Sequence, residues 1–305
     1  MPARLIINAD DFGLTAGVNR SVEELHRAGA LSSATLMANG PAFDDAVAIA
    51  HRNSSLGVGC HIVLTDGVPI SSPQSIPSLI GPNGRSFRPS LHAFAAAALA
   101  GKLPQRDLRT EILAQVLKLQ TAGISVTHLD THKHAHLFPA VSRALVDVAR
   151  QSSVRAVRNP FEQPWTLALR HGSRLRRMQI ALLNQLQNRF RASPHLRDGS
   201  VLTTDGSLGI SATGHLDTLV LRQLLHTLPE GTWELVCHPG YNDPNLDRIA
   251  TRLRTHRDVE RRALLDIVPE ALSQLGAPSL IHFGEISAVA RPPSPPVYRS
   301  PERRS

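Results

Sequence analysis

The densest group of potential metal-binding side chains lies in residues 127–139, THLDTHKHAHLFP. Histidine or aspartate stands at every second position from His128 to His136. Successive side chains of an extended strand point to opposite faces, so these residues share one face while the chain stays extended. Neutral imidazole is the commonest protein ligand for zinc-type ions, and a nearby carboxylate often orients it. The run therefore favours a metal site, with a solvated polar strand as the alternative.

The shared face has a limit set by the residues that follow the run. Leu137, Phe138 and Pro139 are typical of a helix start, and a helix there ends the extended segment near His136. The last one or two imidazoles then leave the shared face, so they should be secondary to the earlier ones. The set that stays on one face is His128, Asp130 and His132.

Length and composition indicate a globular protein with a substantial core. The chain has 305 residues, of which 42% are apolar and 19% charged, enough for one large α/β domain or two smaller ones. No apolar run is long enough to span a bilayer, and the N-terminus lacks a signal-peptide pattern, so we expect a cytoplasmic protein. Cys60 and Cys237 give no disulfide framework, and both are expected to face the core.

The formal charge of +8 is concentrated in one segment. Nine arginines and a single acid, Glu162, lie between Arg155 and Arg197, so this segment carries the whole excess. Aromatic residues make up only 4% of the chain, and no zinc-finger or RRM-like signature is present. Nucleic-acid binding is therefore the weaker explanation of the charge, and we expect no nucleic-acid partner.

Apolar strand-like runs alternate with amphipathic helical patterns along the chain. The helices are predicted from about Thr15 to Gly29 and over FDDAVAIAHR, DLRTEILAQVLKLQ and AVSRALVDVAR, with a long loop around GPNGRSF. About eight strands alternating with helices indicate a parallel (β/α) barrel or a distorted variant of one. The predicted strands are RLIINA, SATLMAN, GVGCHIV, ISVTHLD, VRAVRN, SVLTT (a weak one), WELVCH and SLIHF.

Polar residues stand where these strands end. In a (β/α) barrel the carboxyl ends of all strands meet at one face, where active sites are built. Each residue alone is a weak signal, because paired acids often cap helices and a strand-end histidine is often structural. Their joint placement predicts that they converge. They are Asp10 and Asp11, His61, the histidine-rich run, Arg158 and His238.

Five stretches of the sequence that contain these residues resemble the motifs of the YdjC-like carbohydrate deacetylases. They follow the order of the family motifs across residues 4 to about 285. They are ADDFG (9–13), GVGCHIVLTDG (57–67), HLDTHKH (128–134), VRNPFE (157–162) and ELVCHPGY (234–241). The resemblance implies a distorted (β/α) barrel related to the polysaccharide deacetylases. It also implies one divalent metal ion, Mg or Zn, held by Asp11, His61 and His132.

The resemblance also implies catalytic roles. Asp10 matches the general base and His238 the general acid. The chain has Thr131 where the family commonly has Ser, a change that keeps the hydroxyl. For Arg158 the alternatives are orienting Asp10, contacting substrate, or being a surface cation of the basic segment. The weaker candidates for substrate-binding or supporting roles are Asp130, His134, Arg158 and Tyr241.

The chemistry of this residue set suits hydrolysis of an amide in an N-acetylated sugar. A Lewis-acid metal polarises the carbonyl and activates water, and three protein ligands leave coordination positions open. Ligand softness admits Zn, Co or Mn, and the resemblance admits Mg. Two alternatives remain. One is a metallohydrolase of another bond such as a phosphoester, and the other is a non-catalytic sugar-binding or nucleic-acid-binding protein.

Two further sequence patterns bear on the identity of the substrate and on a contact with the membrane. NGPAFDDAV (39–47) and RTHRDVERRALLD (254–266) resemble a branch of the family associated with hopanoid biosynthesis, which implies a glycosylated hopanoid as substrate. A basic amphipathic helix is predicted from about Trp165 to Arg191, with Arg170, Arg174 and Arg177 opposite the apolar stripe. Such a helix either contacts an anionic bilayer or packs its stripe in the core. The stripe is Leu175, Met178, Leu182, Leu186 and Phe190.

The domain prediction follows from these patterns. Residues 1–290 are expected to form one deacetylase domain, with the basic amphipathic insertion at about 163–198. Residues 291–305, RPPSPPVYRSPERRS, have too little apolar surface to fold and are predicted to be disordered. The expected partners are an N-acetylated sugar or glycolipid, the inner face of the membrane as a peripheral contact, and a second copy in a homodimer.

Overall fold

A parallel eight-stranded sheet organises the described residues of the computed structural model, which are 3–168, 174–249 and 251–286. A crossover between successive strands returns the chain to the end of the sheet where the strands begin, as parallel pairing requires. The strands are β1 (Arg4–Phe12), β2 (Ser33–Leu36), β3 (Gly57–Ile62), β4 (His128–Thr131), β5 (Ala156–Val157), β6 (Gly206–Leu208), β7 (Thr232–Cys237) and β8 (Ser279–Leu280).

The sheet curls into a distorted barrel. Its order is β5-β4-β3-β2-β1-β7-β6, and β8 pairs with the first residues of β1. Two isolated parallel bridges, Ala156 to Leu202 and Glu162 to Ser207, join the β5 side to the β6 side. The predicted distorted (β/α) barrel is confirmed.

Helices connect the strands and cover the outside of the sheet. Three of them have a side-chain cap that satisfies an otherwise unpaired backbone N–H, from Thr15, Ser90 and Asp217. The helices are α1 (Ala16–Arg27), α2 (Phe43–Arg52), α3 (Leu91–Leu99), α4 (Gln105–Thr121), α5 (Pro139–Gln151), α6 (Pro164–Ala168), α7 (Arg174–Leu183), α8 (Gln187–Arg191), α9 (Pro194–Arg197), α10 (Thr218–His226) and α11 (Thr255–Leu272).

Alternation along the strands sorts residues between the two faces of the sheet. On β1, Leu5, Ile7 and Ala9 belong to the large core beneath the helices, whereas Ile6 packs in a second cluster that contains Phe283. The outward positions are filled by apolar side chains, which leaves the inward positions near the strand ends for polar ones. Both cysteines are fully buried in the large core, as expected.

Two elements differ from the prediction. The weak strand SVLTT supplies only a single bridge, at Leu202, and the sixth strand is Gly206–Leu208. This strand has only three residues and is flanked by polar ones, so no apolar run indicated it in the sequence. The long connection after β3 contains α3, whose alanine-rich sequence LHAFAAAAL buries only Phe94 and Ala97. High alanine content gives helix propensity without the apolar periodicity on which the prediction relied.

The basic segment is helical but is not one uniform amphipathic helix. A 3₁₀ turn, Asn184–Leu186, separates α7 from α8, and its tighter winding rotates the apolar stripe. Met178 and Leu182 are 70% and 64% exposed, whereas Phe190 is buried in the core. Met178 and Leu182 therefore do not pack in the core as the packed-stripe alternative expects. Arg170, the side chains of Leu175, Arg174 and Arg177, and the tail 291–305 lie outside the described residues.

None of the helices in the described part of the chain is both long and apolar enough to cross a membrane.

Candidate active site

Side chains from β1, β3 and β4 converge at the carboxyl end of the barrel, on both sides of β2. Asp10 and Asp11 stand near the end of β1, His61 near the end of β3, and Asp130 near the end of β4. The pairing register places His61 opposite Asp130. Because the strands are parallel, their ends open to the same face, and residues far apart in sequence meet there.

Three potential ligand atoms form a compact triangle at this end. Asp11 Oδ1 lies 3.2 Å from His132 Nδ1 and 3.5 Å from His61 Nε2, and the two imidazole nitrogens are 3.3 Å apart. Two atoms that each lie about 2.1 Å from one zinc ion are separated by roughly 3.4 Å at a tetrahedral angle. The donor set of one carboxylate and two imidazoles therefore fits a single divalent ion.

Asp11 Oδ1 supports this fit independently. It is buried and has no hydrogen-bond partner among the described residues. Buried carboxylate oxygens are normally satisfied, so an orphaned one facing two imidazoles suits a cation. Burial by itself raises the pKa of Asp11, but Arg257 and the two histidines hold it well below its usual range. Asp11 is therefore an anion, as a ligand must be.

A local backbone irregularity allows adjacent aspartates to face the same site. Neighbouring residues of a regular strand point to opposite faces, which would send Asp10 and Asp11 apart. Asp11 instead adopts a left-handed conformation with φ of 65°, and the pairing of β1 with β2 shifts between Ala9 and Phe12. Aspartate is among the residues that tolerate this conformation best. The bulge turns Asp11 into the site beside Asp10.

Asp130 orients His61. Its Oδ1 lies 2.8 Å from His61 Nδ1, so this nitrogen donates to the carboxylate and leaves Nε2 free toward Asp11 and His132. Such a carboxylate–histidine pair fixes the tautomer that binds metal. Burial lowers the pKa of His61, but Asp130 and Asp10 outweigh it and raise the pKa to about 10. Asp130 and Asp10 therefore favour positive charge at His61, and a metal ion would displace the proton from its Nε2.

Arg158 holds the second aspartate. Its Nη2 and Nη1 donate to Asp10 Oδ1 and Oδ2 at 2.6 and 2.9 Å, a fork that fixes the carboxylate plane. Burial by itself raises the pKa of Asp10, but the charge of Arg158 lowers it far below the usual range. Asp10 is thus ionised, oriented and adjacent to the ligand triangle without belonging to it.

Arg158 is not a surface cation, because its side chain is fully buried. Its Nη1 also lies 2.5 Å from Asp130 Oδ2, and its Nε donates to Glu234 Oε1 at 2.8 Å. Arg158 directly follows β5, and its side chain reaches carboxylates of β1, β4 and β7 across the barrel. Of the roles considered for Arg158, the contacts favour orienting Asp10.

Glu234 was missed by sequence reasoning. Burial raises its pKa to about 7, against the opposing effect of Arg158. The signal was present, because Glu234 is a charged residue inside the strand TWELVC, whose other residues are apolar except Thr232. A charge at an inward strand position requires a buried partner of opposite sign.

His238 completes the polar group at the end of β7, the strand next to β1. Its Nε2 lies 3.8 Å from Asp10 Oδ2, and its backbone N–H donates to Glu260 Oε2 at 2.6 Å. Burial lowers the pKa of His238 to about 4, although Asp10 acts in the opposite direction. Its Nδ1 is buried without a hydrogen-bond partner in the described part of the chain. The imidazole is therefore neutral near pH 7.

The histidine-rich run divides after His132. The 3₁₀ segment His132–Leu137 begins there, and Lys133 and His134 both have left-handed backbones. His136 folds back onto Thr131, whose Oγ1 accepts from the His136 backbone N–H at 3.0 Å. The extended alternation therefore ends at His132, four residues earlier than expected, because two left-handed residues turn the chain.

The remaining members of the run serve packing. His128 is fully buried, stacks on Phe283 at 3.7 Å, and lies against Gly59, where a Cβ would be only 2.3 Å from the imidazole. Burial lowers the pKa of His128 well below its usual value, so it is neutral. His134 lies near His136, with ring centroids 6.3 Å apart, and is not part of the ligand triangle.

Tyr241 contacts helices on the outside of the barrel. Its hydroxyl donates to Glu24 Oε2 at 2.9 Å, and the guanidinium groups of Arg20 and Arg261 lie 3.9 and 4.3 Å from the ring centroid. The structure therefore gives Tyr241 a packing role, and its contact with substrate stays a prediction.

Two cavities were found outside this polar group. One of about 320 Å³ lies between α1 and α2, and a more apolar one of about 740 Å³ lies between α10 and the end of α11. Neither is lined by any of the converging strand-end residues. The candidate site is therefore identified by the arrangement of its potential ligand atoms and not by a cavity.

The chain is also similar in sequence to known proteins. A family model described as YdjC-like protein matches residues 4–274. A carbohydrate deacetylase from Brevibacillus brevis is 38% identical over 59% of this chain and 65% of the relative, a little under two thirds of its length. A carbohydrate deacetylase from Thermoanaerobacter pseudethanolicus is 29% identical over 86% of this chain and 90% of that protein.

A solved structure resembles the whole barrel. It is a crystal structure of an Enterococcus faecalis V583 protein named for cellobiose-phosphate cleavage, with a TM-score of 0.74 over 93% of this chain and 98% of the other. At 24% identity this likeness concerns the fold alone.

Proposed function

We propose that this chain, which belongs to the YdjC-like protein family, is a carbohydrate N-deacetylase that works with one divalent metal ion. Relatives that match it in sequence are named carbohydrate deacetylases. The observation that carries the metal dependence is the triangle of Asp11 Oδ1, His61 Nε2 and His132 Nδ1, with sides of 3.2 to 3.5 Å.

The proposed ligands suit the reaction. Asp11, His61 and His132 would hold the ion, and Asp130 would keep the Nε2 of His61 available to it. A divalent ion supplies the Lewis acidity that a poorly electrophilic amide carbonyl requires. Zn and Mg are the leading candidates, and one carboxylate with two imidazoles favours Zn by ligand type.

Asp10 is the proposed general base. Its ionised carboxylate stands beside the ligand triangle and can accept a proton from the attacking water. The fork from Arg158 keeps Asp10 anionic and prevents it from turning toward the ion. Arg158 thus separates two adjacent aspartates into different roles, one as a base and one as a ligand.

His238 is the proposed general acid for the leaving amine. Because burial keeps it neutral near pH 7, it must gain a proton before it can donate one. Its Nε2 faces Asp10 Oδ2 at 3.8 Å, so a proton taken up by Asp10 has a short path to His238. The pair can therefore move one proton from water to the amine nitrogen.

The proposed substrate is an N-acetylated sugar, of the N-acetylglucosamine type. The narrower proposal is a lipid-linked acceptor, a glycosylated hopanoid, reached from the membrane surface. The exposed Met178 and Leu182 on α7, within the segment that carries the excess of arginine, support a peripheral lipid contact.

The test is acetate release from chitooligosaccharides and from N-acetylglucosaminyl lipids, followed by mass spectrometry, with and without a chelator. Chelator-sensitive acetate release is expected from at least one class, and the lipid class should be preferred. Phosphate release, or sugar binding without turnover, would instead favour the phosphoesterase or the binding-protein alternative.

A further inference from the structure

Helix α11 touches the site at two points that the proposed mechanism leaves without a role. Arg257 Nη2 donates to Asp11 Oδ2 at 2.6 Å, and Glu260 Oε2 accepts from the backbone N–H of His238 at 2.6 Å. Both helix residues are 1% exposed and lie one turn apart. One turn of α11 therefore forms hydrogen bonds with Asp11 at the end of β1 and with His238 after β7.

The two oxygens of Asp11 have different surroundings. Oδ2 takes the charge-assisted hydrogen bond from Arg257, whereas Oδ1 faces His61 and His132. A carboxylate with one oxygen fixed in this way presents only the other to an ion. The left-handed backbone of Asp11 gives its side chain an unusual direction, so an external contact is needed to define where the carboxylate points.

Arg257 is itself held in place without help from Asp11. Its Nε donates to the carbonyl of Leu253 at 3.0 Å, and its own carbonyl accepts from the Gly240 N–H at 3.1 Å. The loop after β7 lies against its stem, since a Cβ on Gly240 would be 3.2 Å from Arg257 Cδ. The guanidinium is therefore preorganised before Asp11 binds it.

We infer that Arg257 is a positioning residue that makes Asp11 a one-oxygen metal ligand, and that Glu260 positions the loop of His238 from the same helix. This inference rests on the proposed metal site. It gives the stretch RTHRDVERRALLD a physical purpose at the barrel mouth, which its Arg257 and Glu260 side chains reach.

The Arg257 arm is tested by Co²⁺ titration of metal-free protein. Arg257→Met should weaken Co²⁺ binding by about 10- to 100-fold, the usual cost of removing a partner of a metal ligand, and should alter the visible spectrum of bound Co²⁺. The loss should prevail although the substitution also removes a positive charge that repels the ion. The matched control is Arg262→Met, on the same helix, where an exposed arginine pairs with Asp258 away from the site. It should stay within about twofold of the unsubstituted protein.

Arg257→Lys keeps the buried charge but not the forked donor, and it decides the question if the methionine variant fails to fold. A loss of about threefold or more with an altered spectrum supports positioning. Unsubstituted affinity and spectrum in every folded Arg257 variant overturn the inference and leave the proposed function standing. Absence of Co²⁺ binding by the unsubstituted protein overturns both.

The Glu260 arm predicts a different pattern. Glu260→Met, which removes the acceptor of the His238 N–H, should leave Co²⁺ affinity within about twofold but lower kcat for the N-acetylated sugar identified by acetate release, with KM little changed. Unchanged kcat would remove Glu260 from the inference. Loss of Co²⁺ affinity together with kcat would indicate a general structural role and would also overturn this arm.

Discussion

The mouth of the barrel and the basic segment between β5 and β6 are both rich in charged residues, but the fold treats them differently. At the mouth, Arg158 is fully buried and contacts three carboxylates, those of Asp10, Asp130 and Glu234. In the basic segment, Met178 and Leu182 face solvent on a short helix. Charged groups at the mouth have buried partners, whereas α7 in the basic segment exposes apolar side chains to solvent.

Burial determines how much a charged residue contributes to the free energy of unfolding. Removing one partner of a buried ion pair leaves an uncompensated charge and costs about 3–5 kcal/mol, whereas an exposed pair is worth about 0–1 kcal/mol. Charge count from the sequence cannot separate these cases. Substitutions in the two regions should therefore differ sharply, and the predictions follow from the largest expected effect to the smallest.

His61→Ala should abolish specific metal binding, because it removes one of three proposed ligands and the hydrogen bond from His61 to Asp130. Metal analysis of the purified protein should change from about one divalent ion per chain to nearly none, and acetate release should disappear with it. His134→Ala is the control on a neighbouring turn. Unchanged stoichiometry in His61→Ala would contradict the ligand assignment.

Asp10→Asn should retain the metal ion but lose about 100- to 10,000-fold in kcat, the usual contribution of a general base. Steady-state kinetics together with metal analysis check both parts. His238→Ala should lose activity on the same scale, most strongly for poor amine leaving groups. Activity of Asp10→Asn within a few-fold of the unsubstituted protein would mean that another group accepts the proton.

Arg158→Met should lower the free energy of unfolding by about 3–5 kcal/mol, because three buried carboxylates lose their common partner. Urea denaturation measures the change. Arg222→Met, which removes an exposed pair with Glu270, should cost about 0–1 kcal/mol. Similar losses in the two variants would contradict the contrast between the mouth and the surface.

Alanine at His134 or His136 should weaken metal binding less than alanine at His132, because both follow the turn that leaves the ligand triangle. Competition with a chromogenic chelator gives the three affinities. The reverse order would show that the ion uses a different register of the histidine-rich run.

Replacing Met178 and Leu182 with Ser should change the free energy of unfolding by only about 0.5 kcal/mol, since both side chains are already exposed. Binding to anionic vesicles at low salt should nevertheless fall, as it should when Arg170, Arg174 and Arg177 become Gln, at about 1 kcal/mol per cation. Vesicle co-sedimentation is the measurement. Binding unaffected by both sets would remove the membrane contact.

Much of the fold and of the residue set could be read from the chain. The alternation of apolar runs with helical patterns predicts a parallel barrel, and that rule carries Asp10, His61, Asp130 and His238 to one face. Local sequence also predicts the Thr15 cap and the buried thiols. These features depend on short-range periodicity, which a sequence contains in full.

The roles of Arg158 and Glu234, and the contacts of Arg257 and Glu260, could not be read in the same way. Each depends on which charge meets which partner across the barrel, at separations of up to 246 residues for Arg257 and Asp11. Periodicity indicates which face of a strand or helix a residue occupies, but not which residue it meets across the barrel. For Arg158 the sequence left burial and exposure equally open.

The order of the elements and the types of side chain at the strand ends therefore follow from the sequence. The direction of each side chain depends on tertiary packing. The left-handed Asp11, the turn after His132 and the contacts of α11 with Asp11 and His238 bring three potential ligand atoms together from a larger set of imidazoles and carboxylates. Selection of this kind requires closed packing, because only then does each buried polar atom have a fixed neighbour.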